Sequence, residues 1–572
     1  MNTQPAQAHT HATAAAASPL KAVLLGFRRE AIWVAIFGFF SNLLMLVPTL
    51  YMMQVFDRVM LSNSEYTLAA LSLLAALLFL VLGFAEWARS RLLVRAGTRF
   101  DLALQRQVFR ASFDARLRST AAATPQAMND LTQLRQFLTG NGVYAVIDTP
   151  WVLIFAGVLY LIHPSLGYTA GVFVLLTLAV ALLGNRVMAP RHAQVQAAQV
   201  QSNAYLAGKL RNSDTVEALG MLGDLRRRWL YIHEQQGALQ EAAHEGAHRQ
   251  QALIKYVQYT QQTLVLALGG LLAIEGHITA GAMLVCNALM GNALRPIGLV
   301  VQSWSQFIES RAAYGRLTTL LQQNPPRTGN DDVQALSGQI SLRRLVAKAQ
   351  GRAKPILEGI DLDFRAGEVV AIAGPSGAGK STLARCLLGI WPEVEGQVLL
   401  DGTPIEAWSR EALGPRLGYL PQDIELFDGT IAENIARFEE NQEKLVIEAA
   451  QRTGIHDMVL RMPRGYDTPM GEAGSMLSGG QRQRLGLARA IVGDPTVIVL
   501  DEPNANLDDV GEAALIRTVS DLKARGKTVF MIVHQPNLLK VADRLLLLDN
   551  GRVAQFGTLR VQTAASKEPV AP

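Results

Sequence analysis

Through the first half of the chain, apolar runs free of charge alternate with polar stretches that keep a helical period. From Ala31 to Phe56 no Asp, Glu, Lys or Arg occurs. At 1.5 Å of rise per residue such a run crosses a hydrocarbon core of about 30 Å. A second uncharged run covers Tyr66 to Ala85. Thr149 to Asn185 is free of the same four residue types, with His163-Pro164-Ser165 in its middle, and predicts two spans joined by a tight turn. Tyr256 to Ile274 and Gly276 to Leu294 complete the set. Six spans are thus predicted, over 31–53, 66–87, 144–163, 166–187, 256–275 and 277–299.

The polar stretches between the spans carry the basic residues. The first holds Arg89, Arg91, Arg95, Arg99, Arg106, Arg110, Arg116, Arg118 and Arg135; the second holds Arg186, Arg191, Lys209, Arg211, Arg226, Arg227, Arg228, Arg249 and Lys255. The opposite turns hold only Arg58. By the positive-inside rule the two long connections and both termini are expected in the cytoplasm. Each connection is long enough for two helical extensions of roughly 25 to 30 residues, reaching about 40 Å beyond the bilayer. Breaker-rich segments at Ala122 to Gln126, and at Arg211 to Asp214 leading into Thr215 to Leu222, predict short transverse helices at the tips, placed to touch a cytoplasmic partner. Asp148 and Arg295 lie in or beside spans and are functional candidates on that ground.

Composition sharpens this picture. Of 572 residues, 49% are hydrophobic and 18% charged, too long a chain for one core and too apolar for a wholly water-exposed one. The net charge of +5 is spread beside apolar spans and forms no single patch, so no nucleic-acid partner is expected and membrane lipid is. The two cysteines, Cys286 and Cys386, fall in different candidate domains and read as small core hydrophobes. The first twenty residues, with Ala14 to Ala17, read as a disordered tail without a signal peptide. His9 and His11 there have no third metal ligand beside them.

At Gln322 to Asp332 two prolines and turn formers break the helical pattern, and from Ile340 short strands and helices alternate as in an α/β domain with a largely parallel sheet. The expected layout is a tail (1–20), a transmembrane domain (21–325), a linker (326–335), an α/β P-loop NTPase domain (336–562) and a second tail (563–572). Within the NTPase domain, Val369 to Ala373 is a buried strand and Leu383 onward a helix. Between them run Gly374, Pro375, Ser376, Gly377, Ala378, Gly379, Lys380, Ser381 and Thr382. Glycines let this backbone wrap with its N–H groups inward on phosphate oxygens. Lys380 then reaches the β and γ phosphates, and the Ser381 hydroxyl is a candidate Mg²⁺ ligand.

Four further elements follow in order. Tyr419-Leu-Pro-Gln422 offers an amide to metal or water. Leu477, Ser478, Gly479, Gly480 and Gln481 open a helix and form a second anion site. Val497 to Asp501 is a strand ending in a carboxylate, with Glu502 next, and Val529 to Val533 is a strand followed by His534. Read singly, Gln422 is a turn residue, Asp501 a helix cap and His534 an ordinary strand-end histidine. In this order and spacing they form one phosphoryl-transfer set.

On these residues the chain resembles the ATP-binding cassette (ABC) superfamily, and six spans before one such domain resemble a half-transporter of the exporter type. The resemblance implies ATP and Mg²⁺ as cofactors, with Gly374 to Thr382 as Walker A, Gln422 as Q-loop and Leu477 to Gln481 as signature. It implies Val497 to Asp501 as Walker B with Asp501 on Mg²⁺, Glu502 polarising the water, His534 on the γ-phosphate and Leu507-Asp508 as D-loop. Ser381, Gln422 and Asp501 are then the metal candidates. In this family the signature closes over ATP held by a second subunit, so a homodimer is expected. One departure stands out: the aromatic that stacks on adenine in exporter-type members is missing, since Ser341 to Asp363 holds no Tyr, Phe, Trp or His. The matching position falls near Ala349, and weak discrimination between ATP and GTP is expected.

The stretches Gln136 to Gly140, Asp148 to Trp151, Val216 to Leu222 and Asp501 to Asp508 further resemble the protease/lipase branch of type I secretion transporters. That resemblance implies export of an unfolded protein with a C-terminal signal across the inner membrane of a Gram-negative bacterium. The implied partners are a periplasmic membrane-fusion adaptor, a TolC-like outer-membrane channel and the secreted protein. The extra domain that peptidase-containing and haemolysin-type exporters carry before the first span is not expected here. An exporter or flippase of lipids or small amphiphiles is the alternative, sharing every ATPase motif. A non-transport P-loop protein is at odds with the six spans.

Overall fold

The structure is a computed structural model that describes residues 19–118, 126–210, 212–325, 336–349, 351, 354–471 and 477–559. Both expected tails and the expected linker, with His9, His11 and the first breaker segment, lie outside the described residues or nearly so. The chain divides into two compact units around Pro325.

The first unit is built from helices. After a short helix at Pro19–Gly26 they include α1 (Arg28–Leu44), continued by shorter turns to Ser62, α2 (Glu65–Arg118), α3 (Gln126–Thr139), α4 (Asn141–Asp148), α5 (Trp151–Ile162), α6 (Pro164–Leu210), α7 (Ser213–Ala218), α8 (Leu222–Ile274), α9 (Ala280–Gln302) and α10 (Trp304–Gln323). The run predicted as one span over 144–163 is two helices, α4 and α5, because Thr149-Pro150 interrupts the ladder where proline has no N–H to give. Residues 28–62, 65–117, 126–162, 164–210 and 280–302 are helical and apolar enough to cross a bilayer. The fifth predicted span lies at the end of α8 but falls short of that standard, since Gln258, Gln261 and Gln262 interrupt its apolar run. Only 11% of the most apolar stretch of α2 is buried against the protein, so its leucines need a nonaqueous neighbour.

A smaller core does form inside this unit, where Phe155, Leu159, Leu166, Val265, Cys286 and Met290 interlock. Two carboxylates stitch distant helices together. Asp57 accepts the Thr279 hydroxyl at 2.5 Å and the Gly281 amide at 2.9 Å, capping α9 from 222 residues away. Any Cβ at Gly281 would stand 2.6 Å from that carboxylate. Asp148 receives the Arg89 guanidinium at 3.0 Å and the Asn42 amide at 2.8 Å. The Arg89 and Asp148 side chains are only 7% and 14% exposed. Arg295 lines the same cavity of about 350 Å³, its Nη1 3.2 Å from the Met45 sulfur.

The second unit has two sheets. The first, β2 (Leu357–Phe364), β1 (Ile340–Ala347), β4 (Val394–Leu400) and β5 (Thr403–Pro404), is wholly antiparallel. The reading of one largely parallel sheet from Ile340 onward is corrected here. Only nine residues separate β1 from β2, too few for the crossover that a parallel pair needs, so the two pair antiparallel. The second sheet runs β10 (Arg552–Thr558), β9 (Arg544–Asp549), β3 (Val369–Ala373), β8 (Thr528–Ile532), β7 (Val497–Asp501) and β6 (Leu417–Leu420). All its pairs are parallel except β9 with β10. Strands β3, β7 and β8 are buried at nearly every position, as parallel strands covered on both faces are. Their carboxyl ends therefore meet on one edge, where an open α/β sheet places its ligand. Cys386 sits in this core as a free thiol that burial pushes up to about 12.

Candidate nucleotide site

Four strand ends build the site, those of β3, β6, β7 and β8. At the end of β3 the chain turns through Gly374, Gly377 and Gly379, all at positive φ, into α11 (Lys380–Leu387). A Cβ on Gly374 would lie 2.2 Å from the Leu548 carbonyl, so only glycine lets the loop pass there. The Lys380 ammonium, 7% exposed, donates to the Gly374 and Pro375 carbonyls at 2.9 Å each, which braces the loop into a ring. The cavity over this loop holds about 730 Å³.

The end of β7 supplies the acids. Asp501, 1% exposed, accepts the Ser381 hydroxyl at 3.3 Å. Burial pushes its carboxyl above the ordinary aspartate range and the Glu502 charge adds to that, while Ser381, Arg385 and Lys380 pull the other way. A hydroxyl and a carboxylate that meet beside a phosphate loop are hard oxygen donors of the kind Mg²⁺ takes, with the substrate phosphates completing the shell. No group of three or more His, Cys, Asp or Glu is placed to hold a metal by itself among the described residues. The donor set thus fits Mg²⁺ held jointly with nucleotide.

Glu502 stands at the cavity wall with both oxygens engaged. Gln422 Nε2 donates to Oε2 at 3.3 Å, and His534 Nε2 meets Oε1 at 3.0 Å. Residues from the ends of β6, β7 and β8 thus converge on one carboxylate. Its backbone is at φ 50°, a left-handed conformation that costs a non-glycine residue about 1–3 kcal/mol unless its surroundings hold it.

What holds it is Gln483, which sequence reasoning passed over. This amide is 2% exposed on α12 (Gly479–Ile491) and donates to the Glu502 carbonyl at 3.3 Å and the Pro503 carbonyl at 3.1 Å. A polar residue on the inward face of an amphipathic helix was the only signal available. A Gln483→Leu chain is expected to keep its KM for ATP and lose kcat by up to about a hundredfold, the scale of a 1 Å misplacement. Steady-state ATPase assays check this, and an unchanged kcat would remove Gln483 from the set.

The remaining predicted residues lie apart from this cavity. Ser478 and Gln481 close a reciprocal cap on α12, Ser478 N–H to Gln481 Oε1 at 2.9 Å and Gln481 N–H to Ser478 Oγ at 3.3 Å. Gly479 and Gly480 pack on Asn506, and a Cβ on Gly480 would come within 2.8 Å of its carbonyl. Asp508 caps α13 (Asp509–Ala524) by accepting the Gly511 N–H at 2.8 Å. None of these residues lines the cavity that Lys380 and Glu502 share.

Pro355, Ile356, Asn550 and Gly551 also line the cavity, and among the described residues no aromatic ring does. Asn550 and Gly551, both at positive φ, make the tight turn between β9 and β10, an Asn-Gly hairpin signal that was open to reading. Aliphatic walls contact any purine alike. Hydrolysis rates for ATP and GTP are expected to agree within about tenfold, because the stacking contribution of about 0.5–1.5 kcal/mol is missing. A hundredfold preference for ATP in parallel assays would contradict this.

A phosphate loop, a strand-end Asp-Glu pair, an amide and an imidazole on one carboxylate, and a unit of long apolar helices earlier in the same chain define an ATPase of the ABC class joined to a membrane-spanning unit. Comparison with known proteins agrees. The family described as "ABC transporter" matches residues 357–505, and "ABC transporter transmembrane region" matches 32–296. The chain is 36% identical to the "Type I secretion system ATP-binding protein PrsD" of Rhizobium meliloti (strain 1021), over 94% of this chain and 92% of that protein. It is 30% identical to the "Cyclolysin secretion/processing ATP-binding protein CyaB" of Bordetella pertussis (strain Tohama I), over 91% of this chain and 74% of that one. Its fold is that of a bacterial Atm1-family ABC exporter with ATP bound, at TM-score 0.78 and 22% identity over 93% of this chain and 95% of that one. The chain belongs to the ABC transporters, among the type I secretion ATP-binding proteins.

Proposed function

We propose that this chain is the ATP-driven motor of a type I secretion system, exporting an unfolded protein with a C-terminal signal across the bacterial inner membrane. The observation that supports this most is the 36% identity to a type I secretion ATP-binding protein, which runs through both units and not through the ATPase alone. Residues 21–325 are assigned to the membrane and 336–562 to the cytoplasmic cassette. A periplasmic adaptor and a TolC-like outer-membrane channel would continue the path outward.

In this reading Gly374 to Thr382 cradles the phosphates and Lys380 leaves its loop carbonyls for the β and γ oxygens. Ser381, Asp501 and Gln422 would hold Mg²⁺, which supplies charge neutralisation at the phosphates. Glu502 accepts a proton from the attacking water, kept aligned by Gln422 and His534. His534 also faces the γ-phosphate. Ser478 to Gln481 and Asp508 lie apart from this cavity, which suits residues that act on nucleotide held by a second copy of the chain. A homodimer with two shared sites follows.

Reconstituted protein should hydrolyse ATP several-fold faster with the C-terminal peptide of its cognate secreted protein. Stimulation by lipids or small amphiphiles and not by the peptide would favour the amphiphile exporter instead.

A further inference from the structure

Between α6 and α10 lies a groove of about 800 Å³ that takes no part in nucleotide chemistry. Ala179, Leu182 and Leu183 face it from α6, and Trp304, Phe307 and Ile308 from α10. The charged residues lining it are two guanidiniums, Arg186 and Arg311, and no carboxylate lines it. Neither arginine has an acidic partner among the described residues, whereas Arg316, further along α10, is spent on Asp130 at 2.6 and 2.8 Å.

Helix periodicity makes the groove amphipathic from end to end. On α6 the positions 179, 182, 183 and 186 recur every three or four residues, and on α10 the positions 304, 307, 308 and 311 do the same. Each helix thus lays an apolar stripe that ends in an arginine on one face. Both helices run away from the short turns at His163 and Gly276, so their arginines stand at the same end. On the membrane orientation proposed above, on which this inference rests, Ala179, Leu182 and Leu183 lie within the span predicted over 166–187 and Arg186 at its cytoplasmic end, while Trp304 to Arg311 continue past the span that ends at 299 into the cytoplasmic headgroup region. The Trp304 indole N–H is buried without an acceptor among the described residues, a further donor left over on the same wall.

We propose that this groove is a resident binding site for an anionic phospholipid. The headgroup phosphate sits between Arg186 and Arg311, and an acyl chain runs along Leu182, Leu183, Trp304 and Phe307. A free anion would gain nothing from the apolar slot, and a zwitterionic head would set its own ammonium against two guanidiniums. Basic pockets between spanning helices on the cytoplasmic side favour such headgroups for the same reason. The lipid is a bound component and not cargo.

The test uses full-length dimer in nanodiscs of phosphatidylcholine with graded phosphatidylglycerol, with retained lipid counted by native mass spectrometry. An Arg186→Gln/Arg311→Gln chain should retain phosphatidylglycerol about tenfold less well, since each lost contact is a charged hydrogen bond. Arg91→Gln, a basic site outside the groove, should retain it normally. Basal ATPase and the unfolding midpoint, measured on all three chains, report folding independently of lipid. Equal retention by the double variant overturns the proposal, as does an equal loss of phosphatidylcholine. Loss of dimer in place of lipid also overturns it and gives the groove to the second copy. Protein that salt extracts without detergent would sink the membrane reading itself, a different failure from normal insertion with no preference for the anionic lipid.

Discussion

A Glu502→Gln chain should bind ATP as tightly as the unaltered one and hydrolyse it about 10²–10⁴-fold more slowly, the range that one positioned general base contributes. The geometry gives the reason. Among the described residues Glu502 holds no bond to the phosphate loop, and its two oxygens meet only Gln422 and His534. An amide at this position keeps the shape and one acceptor, so the cavity stays intact while the proton acceptor is gone. The unhydrolysed nucleotide should also hold two chains together, so ATP should shift the variant's cassettes toward a stable closed dimer. Equilibrium binding with a fluorescent analogue, single-turnover hydrolysis and size-exclusion with light scattering read the three effects. Hydrolysis that survives the change would place the base elsewhere.

The second large effect belongs to the membrane unit. Replacing Arg89 by Leu should destabilise that unit by about 3–5 kcal/mol, because the buried Asp148 carboxyl then loses its ion-pair partner and, among the described residues, is left with the Asn42 amide. Arg89 also lies 4.2 Å over the Tyr144 ring and packs on Gly38, so its loss opens space as well. An Arg89→Leu/Asp148→Leu chain should recover most of the loss, since two apolar groups replace a buried pair without leaving an orphan. Thermal unfolding of the three chains in one detergent, read as a double-mutant cycle, measures the coupling. A double variant as unstable as the single one would mean that packing, and not charge, carries the effect.

These two sites differ in how far the sequence revealed them. A run without charge has one physical cause, so the helices over 28–62, 65–117 and 164–210 were legible from composition along the chain. The strand ends at Ala373 and Asp501 were legible for a similar reason, since β-branched runs stop abruptly at glycine or acid. Partnerships over distance were not. Asp148 and Arg295 announced themselves as costly to bury, but nothing local ties Asp148 to an arginine 59 residues earlier. Gln483 was hidden for the opposite reason, because an amide on a polar helix looks ordinary until its fold-mates are in place. The glutamines near the end of α8 blurred one span, and the antiparallel sheet from Ile340 to Pro404 escaped notice because short apolar strands carry no mark of direction.

The carboxylate of Asp57 that caps α9 reaches further than its size suggests. It rivets the end of the first long rod to the start of the last one, and the bare Cα at Gly281 leaves no clearance for slippage there. Two rods riveted at one end can separate only by pivoting about the rivet. Any parting of these two rods is therefore expected to be least at the Asp57 contact and greater away from it, much as a pair of tongs opens from its hinge.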